Sequence, residues 1–403
     1  MEELKVLAES AGARVEETII QSRPARDAAT LIGSGKLEEL RSLVQFHSAD
    51  LVLFDSELSP TQQRNIERAL DCKVLDRTQL ILDIFATRAR TREGQLQVEL
   101  AQLNYLLPRL AGHGVEMSRL GGGIGTRGPG ETKLETDRRR IHTRIQKLNE
   151  SLEHVRGGRG TQRHQRQSVP LATIALAGYT NAGKSTLFNR LTGAHVGADA
   201  RMFATLDPTV RHVVLPSKRK VLFSDTVGFI RSLPTTLVKA FRATLEEVTE
   251  ASLILHVVDV SSPYAAHQTA HVLKVLAEIG AENTRQILAL NKMDLIPDST
   301  ESADSLAQRI LGELHGSDHV RAIPVSARSG EGVDALLAAI DRDLPLDPVS
   351  LARFRIPAGE GSLIHLVHER SKVLSSHYSG DIWEVEAEVP ASVRSQLQSY
   401  AVD

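Results

Sequence analysis

One cysteine, Cys72, stands among 403 residues, so no disulfide can close within the chain. That fits a reducing compartment, and Cys72 is expected as a small buried apolar residue at the start of a strand. No apolar run reaches the ~18–20 residues that a bilayer-spanning helix requires. The opening residues Met1-Glu2-Glu3-Leu4-Lys5 lack both a basic n-region and an apolar h-region, so no secretory signal is expected. A soluble, cytoplasmic protein with no membrane span is the expectation. The 15 histidines form no H-E-x-x-H or Cys/His pairing, which argues against a zinc site. The single tryptophan, Trp383, alternates with Val385 and Ala387 and reads as core rather than as a base-stacking platform. No internal repeat or low-complexity tract is present.

What is present is ordinary in bulk and uneven in detail. Hydrophobic residues make up 41% and charged residues 24%, as in a globular protein. At ~100–200 residues per domain, the length implies two to four domains, each able to bury its own core. The net charge of −2 hides an asymmetry. Between Arg88 and Arg166 there are 16 Lys and Arg against 8 Asp and Glu, a net of +8, so the remainder carries −10. A basic block inside an acidic chain points to a polyanionic partner, with a solvated helical pair as the plainer alternative.

The pattern along the chain divides it into four. Residues 1–87 alternate helix and strand signals, as in a small α/β domain with a mostly parallel sheet. The expected strands are Val15–Ile20, Leu51–Phe54 and Lys73–Leu75. The expected helices are Lys36–His47 and one entered at Ser59-Pro60 and running to Leu70. Over residues 88–168, Leu96, Leu100, Leu103 and Leu107 form one apolar seam. Ile141, Ile145, Leu148, Leu152 and Val155 form another. Both have coiled-coil spacing, and the Gly-rich run Gly121–Glu131 between them breaks any continuous helix. An antiparallel helical hairpin with that loop at its tip is expected. Pro108 should kink or end the first helix, and Gly157–Ser168 should form a polar linker. Strand–helix alternation resumes over 169–348. Residues 349–403 read as a small α+β unit, with strands Arg353–Ile356 and Ile382–Val389 and helices at Ser362–Ser376 and from Ala391.

The chemistry concentrates in the third segment. Gly178-Tyr179-Thr180-Asn181-Ala182-Gly183-Lys184-Ser185 fits G-x-x-x-x-G-K-[ST], between an apolar strand Thr173–Ala177 and a helix Thr186–Leu191. Such a loop turns backbone N–H groups toward phosphates at a helix N-terminus. Lys184 then reaches the β/γ-phosphates, and the Ser185 hydroxyl is placed to ligate Mg²⁺. Asp225-Thr226-Val227-Gly228 ends the strand Val221–Phe223 and puts a carboxylate opposite that loop, suited to holding Mg²⁺ through its water shell. Gly228 lets a backbone N–H approach the γ-phosphate. Asn291-Lys292-Met293-Asp294 follows the strand Gln286–Leu290. A carboxylate at Asp294 accepts from guanine N1–H and the 2-amino group, donors that adenine does not offer in that arrangement. Ser326-Ala327-Arg328, after the strand Ala322–Val325, presents backbone to guanine O6. In this order the motifs are those of a Ras-like, P-loop GTPase core. Gly33-Ser34-Gly35-Lys36 lacks the four-residue spacer and reads as a helix-entry turn.

Between the first two motifs lies Phe203-Ala204-Thr205-Leu206-Asp207-Pro208-Thr209, where a switch I threonine joins Mg²⁺ when the γ-phosphate is present. Thr205 and Thr209 are both candidates. The position after D-x-x-G, where a water-orienting Gln is common, holds Phe229, so slow intrinsic hydrolysis is expected. Asn181 sits where cation-dependent GTPases use Asn to help hold K⁺, and an Asn that only stabilises the turn is the even alternative. A K⁺ ion there would act electrostatically as an arginine finger does.

The whole chain resembles the HflX family of GTPases, in the Obg-like translation-factor class. The resemblance rests on Asp76-Arg77-Thr78 through Arg88-Ala89-Arg90-Thr91. It rests equally on the loop Gly121–Glu131 continuing into Leu134-Glu135-Thr136-Asp137-Arg138-Arg139, on Phe203–Pro208, and on Asp225–Phe229. It implies binding to the large (50S) ribosomal subunit and its rRNA, splitting of stalled ribosomes under stress, and a hairpin tip directed toward the peptidyl-transferase region. It selects Thr205 over Thr209 as the switch I Mg²⁺ ligand, makes an apolar residue at 229 usual, and allows ATP as a second nucleotide. Nucleotide contacts are thereby expected from residues 178–186, 203–207, 225–228, 291–294 and 326–328, and a monomer is expected. The rivals are an RNA-modification GTPase, for which no methyl-donor or flavin site is visible, a ribosome-binding module using nucleotide only structurally, and an RNA-remodelling ATPase.

Overall fold

The computed structural model describes residues 2–22, 24–110, 129–167, 171–194, 202–231, 242–296, 303–312, 321–344 and 349–402. The architecture is α/β and multi-domain, as the alternation predicts.

At the N-terminus, strands β1 (Leu51–Phe54) and β2 (Lys73–Asp76) pair in parallel. Helices α1 (Glu2–Ser10), α2 (Ser34–His47), α3 (Pro60–Leu70) and α4 (Arg77–Arg88) accompany them. Helix α3 starts where the sequence says it should. The Ser59 hydroxyl accepts from Gln62 N, the Gln62 side chain accepts from Ser59 N, and Pro60 takes the first turn. Val15–Ile20 is not a strand: among the described residues no strand pairs with it, and Ile20 is 70% exposed. Cys72 is half-buried rather than buried, packed at the edge of the small core around Ile66 and Val74.

Helices α5 (Arg92–Leu110) and α6 (Pro129–Gln167) form the hairpin. Leu96, Leu148 and Leu152 are its buried seam, flanked by Leu100, Leu103 and Val155. Arg144 bridges to Glu99 through Nε and Nη2 at 2.6 and 2.8 Å, and with Leu96 against Leu148 and Leu152 the contacts run in opposite order along the two helices, as in an antiparallel pair. Pro108 does not end α5, which runs to Leu110. The tip residues 121–128 lie outside the described residues. The expected linker at 157–168 is instead helical through Gln167. Extending an established helix costs ~1 kcal/mol per glycine, which the Arg and Gln residues between the glycines partly offset.

The third unit is a six-stranded sheet, ordered β4 (Thr209–Val214), β5 (Lys220–Asp225), β3 (Thr173–Gly178), β6 (Leu253–Asp259), β7 (Gln286–Asn291), β8 (Arg321–Pro324). Every pairing is parallel except β4–β5. Helix α7 (Lys184–Thr192) follows β3, and α8 (Arg242–Thr249), α9 (Ala265–Glu278), α10 (Ala303–Gly312) and α11 (Val333–Asp343) complete the layers. One face packs its own core around Phe188, Phe223 and Leu336. The other does not close alone. Phe203, Leu206, Phe229 and Ile230 share a core with Leu7, Leu82, Phe85 and Val98, so the expectation of a separate core for each domain fails at this seam.

The tail is a four-stranded antiparallel sheet, β10–β11–β9–β12, of β9 (Val349–Pro357), β10 (Lys372–Ser379), β11 (Ile382–Pro390) and β12 (Ala401–Val402). Helices α12 (Gly361–Arg370) and α13 (Ala391–Gln396) cover it. The helix expected at Ser362–Ser376 stops at Arg370. Residues 372–379, with a valine, three serines and a tyrosine, are weak helix formers, and pairing with β11 wins. Trp383 is buried among Phe354, Val385 and Val389, as core. Among the described residues no helix is long and apolar enough to cross a membrane.

Candidate functional site

The site lies at the carboxyl ends of β3, β5 and β7, where an open parallel sheet leaves a crevice. The loop between β3 and α7 turns at Gly183, whose φ of +92° suits glycine and whose Cβ would sit 2.3 Å from Asn291 Nδ2. Asn181 also holds a left-handed conformation, φ +61°, and its side chain is exposed. The cleft above the loop is lined by Thr180, Asn181, Gly183, Lys184, Ser185 and Thr186 on one side. Phe203, Ala204, Thr205, Thr226 and Gly228 line the other. Lys184 Nζ donates to the carbonyls of Gly178 (3.1 Å) and Tyr179 (2.8 Å). Burial pulls its pKa down to about 8, against the opposing pull of Asp225. The Asp225 carboxyl is pushed up by the same burial, and hydrogen bonds from Thr205 and Ser185 and the charge of Lys184 oppose the rise. His256, on β6 beneath the loop, is held neutral, its pKa depressed to about 3 by burial and then by Lys184.

Three oxygens meet beside Lys184. Asp225 Oδ2 accepts from Ser185 Oγ at 2.8 Å and from Thr205 Oγ1 at 2.7 Å, and the two hydroxyls are 2.8 Å apart. Asp225 Oδ1 is buried without a partner. Two hydroxyls and a carboxylate, one of whose oxygens is buried and unsatisfied, form an all-oxygen set, which fits the hard-ligand preference of Mg²⁺. Thr209 begins β4, opposite Asp225 in the ladder, and does not join this cluster.

Several expected residues use their side chains to hold the fold. The Thr226 hydroxyl donates to Leu176 O at 2.6 Å, which ties β5 to β3. Tyr179, Leu206 and Val227 are buried in the shared core. The Asp207 carboxylate turns to the start of α5, accepting from Arg90 N at 2.9 Å and Thr91 N at 2.8 Å. The side chains of Tyr179, Leu206, Val227 and Asp207 thus pack or bond at the seam with the N-terminal unit.

The base end is a second cluster. Asn291 Nδ2 donates to Ala182 O at 2.8 Å and Oδ1 accepts from Ala327 N at 2.9 Å, stitching the phosphate loop to the Ser326-Ala327-Arg328 turn. Lys292 is left-handed, φ +68°, and pairs with Asp259 at 2.6 Å. Met293 opens a single 3₁₀ turn, Met293–Leu295, that carries Asp294 into the open. Asp294 Oδ1 accepts from Ser326 Oγ at 2.7 Å.

Several supporting residues have no role assigned by the sequence motifs. Arg190 donates to the carbonyls of Ala327 (3.3 Å) and Arg328 and so holds the base-end turn. Asp259 orients Lys292. At the other end, the buried Arg77 pairs with Glu3 and with Asp55 (2.7 Å), and donates to Arg231 O at 3.0 Å. The Tyr179 hydroxyl donates to Glu3 and accepts from Arg231 N at 2.8 Å. Asp55 also pairs with Arg231 at 2.9 Å. The backbone just past D-x-x-G is stapled to the phosphate loop: Phe229 N donates to Gly178 O at 3.0 Å and Thr180 N to Phe229 O at 2.7 Å. The phenyl ring of Phe229 is buried away from the cleft.

Family models match in succession along the chain. They are a GTP-binding GTPase N-terminal model (residues 1–86), a GTP-binding GTPase middle region (88–166), a 50S ribosome-binding GTPase (173–292) and an elongation factor Tu GTP-binding domain (241–346). The GTPase HflX of Caldanaerobacter subterraneus subsp. tengcongensis is 47% identical over 402 residues, which cover 100% of this chain and 90% of the relative. The GTPase HflX of Escherichia coli K12 is 43% identical over 363 residues, 90% of this chain and 83% of that one. Among solved structures, a GTP-binding protein from Sulfolobus solfataricus in complex with GDP is 27% identical, with coverage of 85% and 94% and a TM-score of 0.45. A phosphate loop, a D-x-x-G strand end and an N-K-x-D turn meet in one crevice, on a chain 47% identical over its whole length to one GTPase HflX and 43% identical over 90% of it to another: it belongs to the HflX family of GTPases.

Proposed function

We propose that this GTPase binds the large ribosomal subunit and its rRNA in its GTP form, dissociates stalled ribosomes, and leaves when GTP is hydrolysed to GDP and phosphate. The observation that carries the reading is the match of residues 173–292 to a 50S ribosome-binding GTPase, joined to the +8 segment 88–166 on the hairpin. Clustered Lys and Arg gain affinity for a phosphate backbone by releasing its counterions. The working division is 1–87 as N-terminal domain, 88–168 as basic hairpin, 169–348 as G domain and 349–403 as tail, in a monomer.

Within the site, residues 178–186 wrap the phosphates. Lys184 carries positive charge to the β/γ-oxygens, and the Gly228 N–H approaches the γ-phosphate. Ser185 and Thr205 are the metal-holding hydroxyls, and Asp225 holds the metal through water. Mg²⁺, when bound, neutralises charge on the phosphate oxygens. Asp294 reads guanine, Asn291 and Lys292 brace the pocket, and the Ser326–Arg328 turn closes over O6. Asn181, exposed beside the phosphate loop, is the candidate K⁺ contact, and ATP is a candidate second nucleotide.

GTP turnover with and without purified large subunits, in potassium and then sodium buffer, tests this reading. Stimulation by the subunit is expected, and so is loss of about 100-fold or more in turnover for Lys184→Ala, the scale seen when one charge-stabilising donor is removed. A subunit that binds tightly without any turnover would instead favour nucleotide as a structural ligand.

A further inference from the structure

We propose that Asp207 is a positioning residue for Thr205: by capping the hairpin helix α5 it sets where the metal-holding hydroxyl stands, so the hairpin and the metal site share one anchor. The proposal rests on the reading of Thr205 as a magnesium ligand.

The anchor is a built contact. The Asp207 carboxylate takes Arg90 N at 2.9 Å and Thr91 N at 2.8 Å on Oδ2, and the Thr91 hydroxyl on Oδ1. Thr91 is itself the N-cap of α5: its Oγ1 accepts from Gly94 N at 3.0 Å and its carbonyl from Gln95 N at 3.0 Å. The carboxylate therefore sits on the positive end of a 19-residue helix, where negative charge is favoured. Gly94 makes the room. A Cβ there would lie 2.6 Å from Asp207 Oδ1 and 3.2 Å from Thr91 Oγ1.

The segment between is short and held at both ends by the N-terminal half. Met202 N donates to Ser10 Oγ at 3.0 Å. The Phe203 ring meets Phe85 edge-on at 4.5 Å between centroids, with Phe203 at φ +57°, an unfavourable backbone state that its surroundings must maintain. Leu206 is buried in the shared core. The Thr205 hydroxyl points the other way, to Ser185 and Asp225. From the G domain, among the described residues, the segment is held by the Thr205 bonds to Ser185 and Asp225 and by the shared core. Displacing the start of α5 must either break the cap or carry Asp207 along, and Thr205 is two residues away.

The test uses the full chain with Asp207→Ala, Gly94→Ala and, as comparator, Thr205→Ala. Gly94→Ala keeps every hydrogen-bonding group and lies on the hairpin, so it reports on the anchor even where Asp207→Ala folds poorly. Two quantities are read. One is hydrogen–deuterium exchange over residues 202–208 in nucleotide-free protein. The other is dissociation of a fluorescent non-hydrolysable GTP analogue and of fluorescent GDP across a magnesium titration. Expected for both anchor variants are faster exchange over 202–208 and a roughly tenfold higher magnesium requirement for retaining the GTP analogue, on the scale of one lost cap. GDP retention should stay within about twofold. If Thr205→Ala raises the requirement while both anchor variants match wild type in exchange and magnesium profile, Asp207 is only a helix cap and the proposal is overturned. If Thr205→Ala itself leaves the magnesium profile unchanged, the ligand reading falls and takes the proposal with it.

Discussion

The two ends of the nucleotide crevice are supported differently. At the base end, among the described residues, the braces come from the G domain itself: Asn291 to Ala182 and Ala327, Lys292 to Asp259, Ser326 to Asp294, Arg190 to the 327–328 carbonyls. At the proposed phosphate end, the loops lean on the N-terminal half. Tyr179 and Arg231 are gripped by Glu3, Asp55 and Arg77, and the Phe203–Asp207 stretch by Phe85, Ser10 and Thr91. The difference separates two tasks. Choosing a base needs a rigid pocket that no other part of the molecule perturbs. Reporting the number of phosphates needs a pocket whose walls belong to something else.

The largest effect that bears on this contrast is expected from Arg77→Ala. The guanidinium is 3% exposed and holds two carboxylates that are each about one-fifth exposed, so its removal strands partly buried charge. Loss of one member of such a pair costs about 3 kcal/mol, toward the lower end for buried pairs because both acids keep some water. Denaturant unfolding of the full chain measures it. The same variant should alter the ratio of GTP to GDP affinity and leave guanine selectivity alone. A change in base selectivity would break the comparison.

Asp294→Asn works from the opposite end. The carboxylate has two acceptor oxygens for two guanine donors, whereas an amide presents one acceptor and one donor. Charge-assisted hydrogen bonds contribute roughly 1.5–3 kcal/mol each, so GDP affinity should fall about 30-fold. Xanthosine diphosphate, with a carbonyl in place of the 2-amino group, should gain. Fluorescent-nucleotide titration with both bases reads this directly. Hydrogen exchange over residues 202–208 and 228–231 should not move. If it does, the base end is not independent.

The same contrast explains what was legible in the sequence. The base end and the phosphate loop are contiguous motifs, because phosphate and guanine each demand a fixed set of groups from one loop. Gly183, Lys184, Asp225, Asn291 and Asp294 could therefore be read as strings, and Thr205 through the family resemblance. Arg77, Glu3, Thr91 and Arg190 act across the fold, and no local pattern announces a guanidinium whose partners lie 74 and 22 residues away. Asp207 is expected at the nucleotide because its neighbours form that motif, and its carboxylate bonds the start of α5 through tertiary contact. Secondary structure failed for a related reason. Val15–Ile20 has strand composition but no partner, and Lys372–Ser379 becomes a strand only because β11 lies beside it. Pairing is a property of two segments, and each was read as one.

The smallest effect locates a proton. In the free site burial lowers Lys184 from 10.5 to about 8, while the ammonium recovers a high pKa once phosphate oxygens replace the carbonyls of Gly178 and Tyr179 around it. The unfolded chain then binds more protons than the folded, nucleotide-free chain between about pH 8 and 10.5. Apo stability should accordingly rise with pH across that window, the burial penalty being fully present below it. Nucleotide affinity runs the other way: unaffected below about pH 8, and falling by up to tenfold per unit above it. Calorimetric GDP titrations at about pH 8.5, in two buffers of different ionisation heat, should show uptake of a fraction of a proton that nearly vanishes at about pH 7. The Asp294→Asn chain titrated with xanthosine diphosphate should show the same uptake, because the proton belongs to the phosphate end whichever base is bound. Equal heats in the two buffers at the higher pH would mean that Lys184 is already charged in the free site. The phosphate end would then be wetter than its burial implies, and its dependence on the N-terminal half would rest on packing alone.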